Sequence, residues 1–307
     1  MKTKSKKKRP VVIFILGPTC AGKSELAVKL ARRIKGEIIS CDSMQIYKYM
    51  PVLSQRPSPG TRRGVRHHLI GALEPSREWN AARFVKTASA AAKDIIRRGR
   101  VPIVAGGTGL YARSLIKGLF PSPSGDRKTR RRLYAEASSG GGDRLYARLM
   151  KIDPSYASVI HPNDLRRVVR ALEVYELTGI PLSAHHKRAR GMQDEYDVRI
   201  FVLTRPRGEL YRRIEARVDR MFKSGIVREV RRLRRGRMGR TAKAALGYKE
   251  INDYLIGRCG LREAGETLKK NTRRYAKRQL TWFRKEKGAV WLDAGAPGVW
   301  KRLYSLL

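Results

Sequence analysis

The chain has 307 residues, with 69 Lys and Arg against 26 Asp and Glu, a formal net charge of +43. Hydrophobic residues make up 41%, enough for a packed core and too many for a disordered chain. The longest apolar run, 11–16, is far short of the ~18 residues of a membrane span. Six of the bases lie in the first ten residues; without them the net charge is still about +37. The excess therefore belongs to the folded body and points to a polyanion, nucleic acid first; a lineage-wide arginine bias is the plainer source. Three widely spaced cysteines, Cys20, Cys41 and Cys259, make neither a disulfide framework nor a zinc site. With no secretory h-region after the basic start, the expected compartment is the cytoplasm, with no membrane partner and a monomeric chain.

Residues 1–10 read as a basic, disordered tail. Residues 11–16 (VVIFIL) form a continuous apolar run, the pattern of a strand buried on both faces. A helix is predicted over 24–34, a short strand over 37–40, and an Ala-rich helix over 80–98 with Asn80 as its N-cap. A third strand, 101–105, runs into Gly106-Gly107. Strands alternating with helices predict a P-loop-like parallel α/β sheet with helices on both faces. After residue 118 the texture changes. A linker-like PSPSG (121–125) precedes helical, charged stretches at 126–150 and 163–178, the latter capped by Asn163 or Asp164. Residues 183–197 read as a mobile polar loop, and strand character returns at 198–203. This predicts a core domain of 11–118 and 198–307 and a helical insertion at 119–197. One amphipathic helical pattern spans 207–235, a long basic helix 264–287, and a last strand 289–292.

Gly17-Pro18-Thr19-Cys20-Ala21-Gly22-Lys23-Ser24 fits GxxxxGK[ST] between a strand and a helix. In that setting backbone N–H groups and the helix N-terminus wrap a phosphate. Lys23 supplies a cation, and Ser24 can hold Mg²⁺. The motif implies a di- or triphosphate ligand, not ATP hydrolysis. Nucleotide hydrolases place an acid at the end of another buried strand, and here that strand ends in Ala105-Gly106-Gly107-Thr108. The available acid is Asp42, just past strand 37–40, at the carboxyl edge where open α/β sheets bind ligands. It suits a general base or a water-mediated Mg²⁺ partner; capping a turn is the ordinary alternative. Gly106-Gly107-Thr108-Gly109 lets a ligand or another chain lie against the backbone.

Eight segments in order resemble one family, the tRNA dimethylallyltransferases or tRNA isopentenyltransferases, in their compact bacterial form. They are GPTCAGKS (17–24), ISCDSMQIYKYM (39–50), HHLI (67–70), GGTGLY (106–111), HPNDLRRVVRALEVYELTG (161–179), IEARVDRMF (214–222), LGYKEI (246–251) and YAKRQLTWFRK (275–285). The resemblance implies transfer of a dimethylallyl group from dimethylallyl diphosphate to the N6 amine of the tRNA adenosine 3′-adjacent to the anticodon. Asp42 would be the base, and Thr108 would position the adenine or the Asp. The loop residues Gly17 to Ser24, with Arg217, would hold the diphosphate. The tRNA anticodon stem-loop would be met by Asp42, Ser43, Met44, Gln45 and Thr108, and by Arg130, Arg166, Arg167, Val168, Val169 and Arg170. Ala244, Ala245, Leu246, Gly247, Tyr248 and Lys249 would complete that face. The insertion would act as a lid over the stem-loop. Two departures stand out: Val52-Leu53-Ser54-Gln55-Arg56-Pro57 where an Ile-Gly-Thr-Ala-Lys-Pro-like stretch is usual, and Gly71 where an Asp is common. A P-loop kinase shares the loop and sheet but explains neither the charge nor the downstream segments. A non-catalytic RNA-binding protein would not need Lys23, Ser24 and Asp42.

Overall fold

The computed structural model describes residues 9–120 and 126–307. The expectations for most of the basic tail (1–8) and for the PSPSG linker (121–125) lie outside those residues. The chain divides into two compact units, 1–116 with 195–307, and 117–194.

The first unit is built on a parallel sheet in the order β3-β2-β4-β1-β5-β6. Its strands are β1 (Val11–Leu16), β2 (Gly36–Cys41), β3 (His67–His68), β4 (Val101–Gly106), β5 (Asp197–Thr204) and β6 (Val290–Asp293). β1 lies between β4 and β5, with Ile13 opposite Ile103 and Arg199. That central place explains its unbroken apolar run. Ile13, Ile15, Leu30, Ile103, Phe201 and Leu203 share one buried cluster, and each such side chain contributes roughly 1.5–3 kcal/mol of burial.

The phosphate-loop helix is Lys23–Arg33, and the Ala81–Arg97 helix is capped by Asn80, whose side chain accepts from the Arg83 N–H at 2.9 Å. The amphipathic pattern over 207–235 forms two helices, Arg207–Lys223 and Ile226–Arg234. Gly225 sits at φ 85° between them, where the backbone turns out of helical geometry. The long basic helix runs Leu261–Phe283. A terminal helix, Val299–Ser305, follows β6.

The second unit is helical around Leu133, Leu145, Leu149, Val168, Val169 and Leu172. The stretch expected to be helical over 126–150 leaves helical geometry at Ser139 and Gly140, separating Arg127–Glu136 from Gly142–Ile152. Asp164 caps the Leu165–Thr178 helix through the Arg167 N–H. Residues 183–197 are not the loop expected from their polarity. They form the Leu182–Arg188 and Met192–Glu195 helices and enter β5, anchored by buried Leu182 and Met192.

Candidate active site

The site lies at the carboxyl edge of the parallel strands, where β1, β2 and β4 end side by side. Gly17–Ser24 leaves β1 and turns into the Lys23–Arg33 helix, with Cys20 at φ 66° and Gly22 at φ 98°. The loop is held from behind by two arginines. Arg213 Nε donates to the Cys20 carbonyl (3.0 Å) and Arg205 Nε to that of Ala21 (3.3 Å). Arg217 Nη1 donates to Thr19 Oγ1 (2.8 Å), and Lys23 Nζ to the Pro18 carbonyl (2.6 Å). Desolvation, reinforced by the Arg217 charge, pushes the Lys23 ammonium down to about 8. Two cations whose direct partners are only a hydroxyl and a carbonyl, in one enclosure, are the electrostatics of an anion seat.

Asp42 follows β2. Its Oδ1 accepts from the backbone N–H groups of Met44 (2.8 Å) and Gln45 (3.3 Å). The carboxyl group therefore does cap its own turn, yet it also lines the cavity. Desolvation pushes its pKa up, against the pull of the Met44 N–H and of Lys23. A carboxylate that is harder to ionise is a better proton acceptor once ionised. Thr108 stitches the neighbouring strand end to this turn. Its Oγ1 accepts from the Ser43 N–H (3.2 Å) and its N–H donates to the Cys41 carbonyl (3.2 Å). Thr108 thus reaches the Asp42 turn through Ser43.

The cavity between these groups measures about 140 Å³ and is lined by Thr19, Lys23, Ser24, Asp42, Gln45, Arg213, Arg217, Tyr275 and Gln279, among others. Wider grooves of about 570 and 650 Å³ exist elsewhere. Only the smaller one gathers the loop, the two cations and the carboxyl group.

Sequence reasoning assigned no role to Gln279, although it lies in one of the family-like segments. Its Oε1 accepts from the Thr19 N–H (2.9 Å) and its Nε2 donates to the Gly107 carbonyl (2.8 Å). It is 6% exposed, with both ends of the amide satisfied. It joins the phosphate loop to the turn that carries Thr108. A Cβ on Gly107 would stand 2.2 Å from Gln279 Nε2, so this glycine makes room for another chain segment, the long helix. Tyr275, one turn earlier, lines the same cavity.

The two departures from the family pattern meet each other. Gly71 has φ +59°, and a Cβ there would come within 2.6 Å of Arg56 Nη1. Losing a side chain at 71 accommodates the larger guanidinium at 56. Leu53, in place of a glycine, is 5% exposed and packs beside Gly247. The Val52 and Leu53 N–H groups donate to the two oxygens of buried Glu229 (3.0 and 2.8 Å). Ser54 and Gln55 then reach the cavity.

The residues expected to face tRNA divide sharply. In the first unit, Ala245 and Gly247 are buried, while Ala244 and Lys249 are exposed, and Lys249 pairs with Asp253. In the second unit, Val168 and Val169 are 0% and 1% exposed in the helical core. Their side chains pack in that core and hold the helix in place. Arg130 Nε lies 2.8 Å from Glu173 Oε1, and Arg170 Nη1 2.5 Å from Glu173 Oε2. Glu173 is completely buried, so these arginines neutralise it. Arg166 and Arg167 are exposed, and Arg167 lies 3.3 Å from Asp164.

Among the described residues there is no group of three or more His, Cys, Asp or Glu able to hold a metal ion. Among them, no helix is long and apolar enough to cross a membrane.

Known proteins place this geometry in context. A family model described as IPP transferase matches residues 45–286, and one described as isopentenyl transferase matches 10–71. The chain is 47% identical over 286 residues to tRNA dimethylallyltransferase 1 of Pelobacter propionicus, covering 92% of this chain and 93% of that protein. It is 48% identical to the tRNA dimethylallyltransferase of Carboxydothermus hydrogenoformans, covering 92% of each. The fold is similar to the crystal structure of tRNA isopentenylpyrophosphate transferase from Bacillus halodurans: TM-score 0.71, 39% identity, 97% of this chain and 95% of that one. It is also similar to a eukaryotic dimethylallyltransferase acting on tRNA: TM-score 0.80, 33% identity, 97% of this chain and 77% of that one. With the phosphate loop, the carboxyl group facing it and this similarity over nearly its whole length, the chain belongs to the IPP transferase family.

Proposed function

We propose that this protein transfers a dimethylallyl group from dimethylallyl diphosphate to the N6 amine of the tRNA adenosine 3′-adjacent to the anticodon, releasing diphosphate. The observation that carries the reading is the juxtaposition, in one small cavity, of an anion seat and the Asp42 carboxyl group, whose pKa is raised. The donor diphosphate takes the seat formed by the loop, Lys23 and Arg217, and its oxygens replace the Pro18 carbonyl as partner of the Lys23 ammonium. The adenine amine attacks the allylic carbon. A C–N bond forms, the C–O bond to diphosphate breaks with its electron pair going to the leaving oxygen, and Asp42 takes the amine proton. The cations sit where negative charge grows, which is the most effective place for them. Thr108, backed by Tyr275 and Gln279, fixes the turn that carries Asp42. The adenosine leaves its stack to reach the cavity.

The donor set fits Mg²⁺. Ser24 offers an exposed hydroxyl oxygen on the cavity wall, and Mg²⁺ prefers few protein ligands plus substrate phosphates and water. Bound there, the ion would neutralise diphosphate charge. The helical insertion is the tRNA-binding part, with Arg166 and Arg167 on RNA phosphates. The protein acts as a monomer in the cytoplasm.

The test is mass analysis of tRNA after incubation with the protein, Mg²⁺ and dimethylallyl diphosphate. A gain of one prenyl unit on that adenosine is expected. Unchanged tRNA, with label passing from ATP to a small acceptor, would make the protein a kinase instead.

A further inference from the structure

The first unit carries a second concentration of cations, away from the cavity. Lys29 and Arg33 stand one turn apart on the exposed side of the Lys23–Arg33 helix. At 1.5 Å per residue they lie roughly 9–15 Å down that helix from Lys23, toward the opposite edge of the sheet. The terminal helix sets two rings beside them. Trp300 and Tyr304 are 6.1 Å apart with planes inclined by 28°. Lys29 Nζ is 5.0 Å from the centroid of Trp300, and the Arg33 guanidinium 5.6 Å from that of Tyr304. Arg32 and Lys301 complete the rim of a groove of about 650 Å³. Buried Leu303 fastens the helix to the core.

These cations differ from the guanidiniums that the fold pairs with carboxylates. Arg98, Arg113, Arg130 and Arg148 each lie against a carboxylate. Among the described residues, Lys29, Arg32, Arg33 and Lys301 have no carboxylate within ion-pair distance; Arg32 donates only to the Arg63 carbonyl at 2.8 Å. Four like charges gathered without counter-charge repel one another, and a polyanion relieves that. Phosphates alone would not need the rings. Paired aromatic faces with cations over them match unpaired bases on a phosphate backbone, through stacking and cation–π contact.

We propose that this groove is a second RNA-binding surface, which takes unpaired nucleotides outside the anticodon loop. It goes beyond the prenyl-transfer reading and uses none of that site's residues. The probe is an oligouridylate of about twelve nucleotides, within the usual site size of such surfaces, followed by fluorescence anisotropy over a range of salt. Binding by the full chain should persist when the cavity is saturated with an isolated anticodon stem-loop. Lys29→Ala with Arg33→Ala and Lys301→Ala should flatten the log–log salt slope by about 2, at about 0.7 for each lost contact. Tyr304→Ala should weaken the oligonucleotide about 5- to 100-fold. Both variants should prenylate the isolated stem-loop at the wild-type rate, so failure of the surface and failure of the reaction are read separately. Should the triple variant not fold, Lys301→Glu alone, at an exposed position, should still lower the slope.

An unchanged slope in a folded variant would overturn the proposal. So would full displacement of the oligonucleotide by the stem-loop. Loss of binding to phosphatidylserine vesicles in these variants, with oligonucleotide binding intact, would assign the groove to lipid and overturn it equally.

Discussion

Asp42 and Glu173 are both carboxyl groups withdrawn from water in an arginine-rich protein, and they show two opposite uses of that burial. Glu173, in the helical unit, touches two guanidiniums directly. Its charge is matched on the spot by direct contact. Asp42, at the sheet edge, is bonded by two backbone N–H groups and feels Lys23 and Arg217 only through space. Its desolvation is only partly offset, so it holds its charge less firmly. Contact makes a strut; separation makes a reactive group. The same contrast divides the arginines. Arg130 and Arg170 lie against Glu173, whereas Lys23 and Arg217 meet only a carbonyl and a hydroxyl, partners that a diphosphate can replace.

Removing basicity while keeping shape tests the reactive side. Asp42→Asn should lower turnover about 10²–10⁴-fold and leave tRNA affinity nearly unchanged; wild-type turnover would take Asp42 out of the reaction. On the structural side, Arg130→Ala with Arg170→Ala strands a buried charge. Breaking such a pair costs about 3–5 kcal/mol, and the partial exposure of both arginines puts the loss near the lower figure. Urea denaturation measures it, and an unshifted midpoint would mean that Glu173 finds another partner.

Lys23→Ala should raise the KM for dimethylallyl diphosphate about 10- to 100-fold, the worth of a charge-assisted hydrogen bond, without weakening tRNA. Equal loss of tRNA binding would place RNA on the loop. The pH profile sharpens the same point. The Lys23 ammonium binds the donor and is lost as pH rises through about 8, so donor KM should climb above that pH, toward tenfold per unit. Asp42 must be ionised to accept a proton. Its raised pKa should therefore move the acid limb of kcat/KM above the usual carboxylate range. A flat KM between pH 7 and about pH 9.5 would mean that Lys23 stays protonated. The smallest effect belongs to Arg166→Ala and Arg167→Ala. Each should reduce the salt slope of tRNA binding by roughly 0.7–0.9, with no change in donor KM and little in stability.

Local signals carried much of the fold. The loop signature between a buried run and a helical pattern, the Asn80 cap and the apolar strands are all short-range features, and each stands where expected. Position 42 was legible for the same reason: an acid just past a strand in a parallel sheet must lie at the carboxyl edge. The helical spacing of Leu165, Val168, Val169 and Leu172 likewise held the information that the two valines face a core, although the family-like segment placed them on RNA. Break points such as Gly225 are weaker signals, because a lone glycine inside a periodic pattern is compatible with a continuous helix.

Contacts between distant segments were decided by the tertiary structure alone. Gln279 meets Thr19 across 260 residues, and composition or spacing says nothing about such a pair. Arg56 and Gly71 read as two separate departures until the fold placed one against the other. The chemistry of the cations was settled there too. Every Arg and Lys carries the same charge in the sequence. Whether that charge is absorbed by a carboxylate, as at Glu173, or left facing a cavity, as at Lys23, depends on which side chains packing brings within 4 Å. Sequence determined what each residue could do, through its shape, charge and local conformational preference. Packing determined its neighbours, and an electrostatic interaction belongs to the pair and its surroundings.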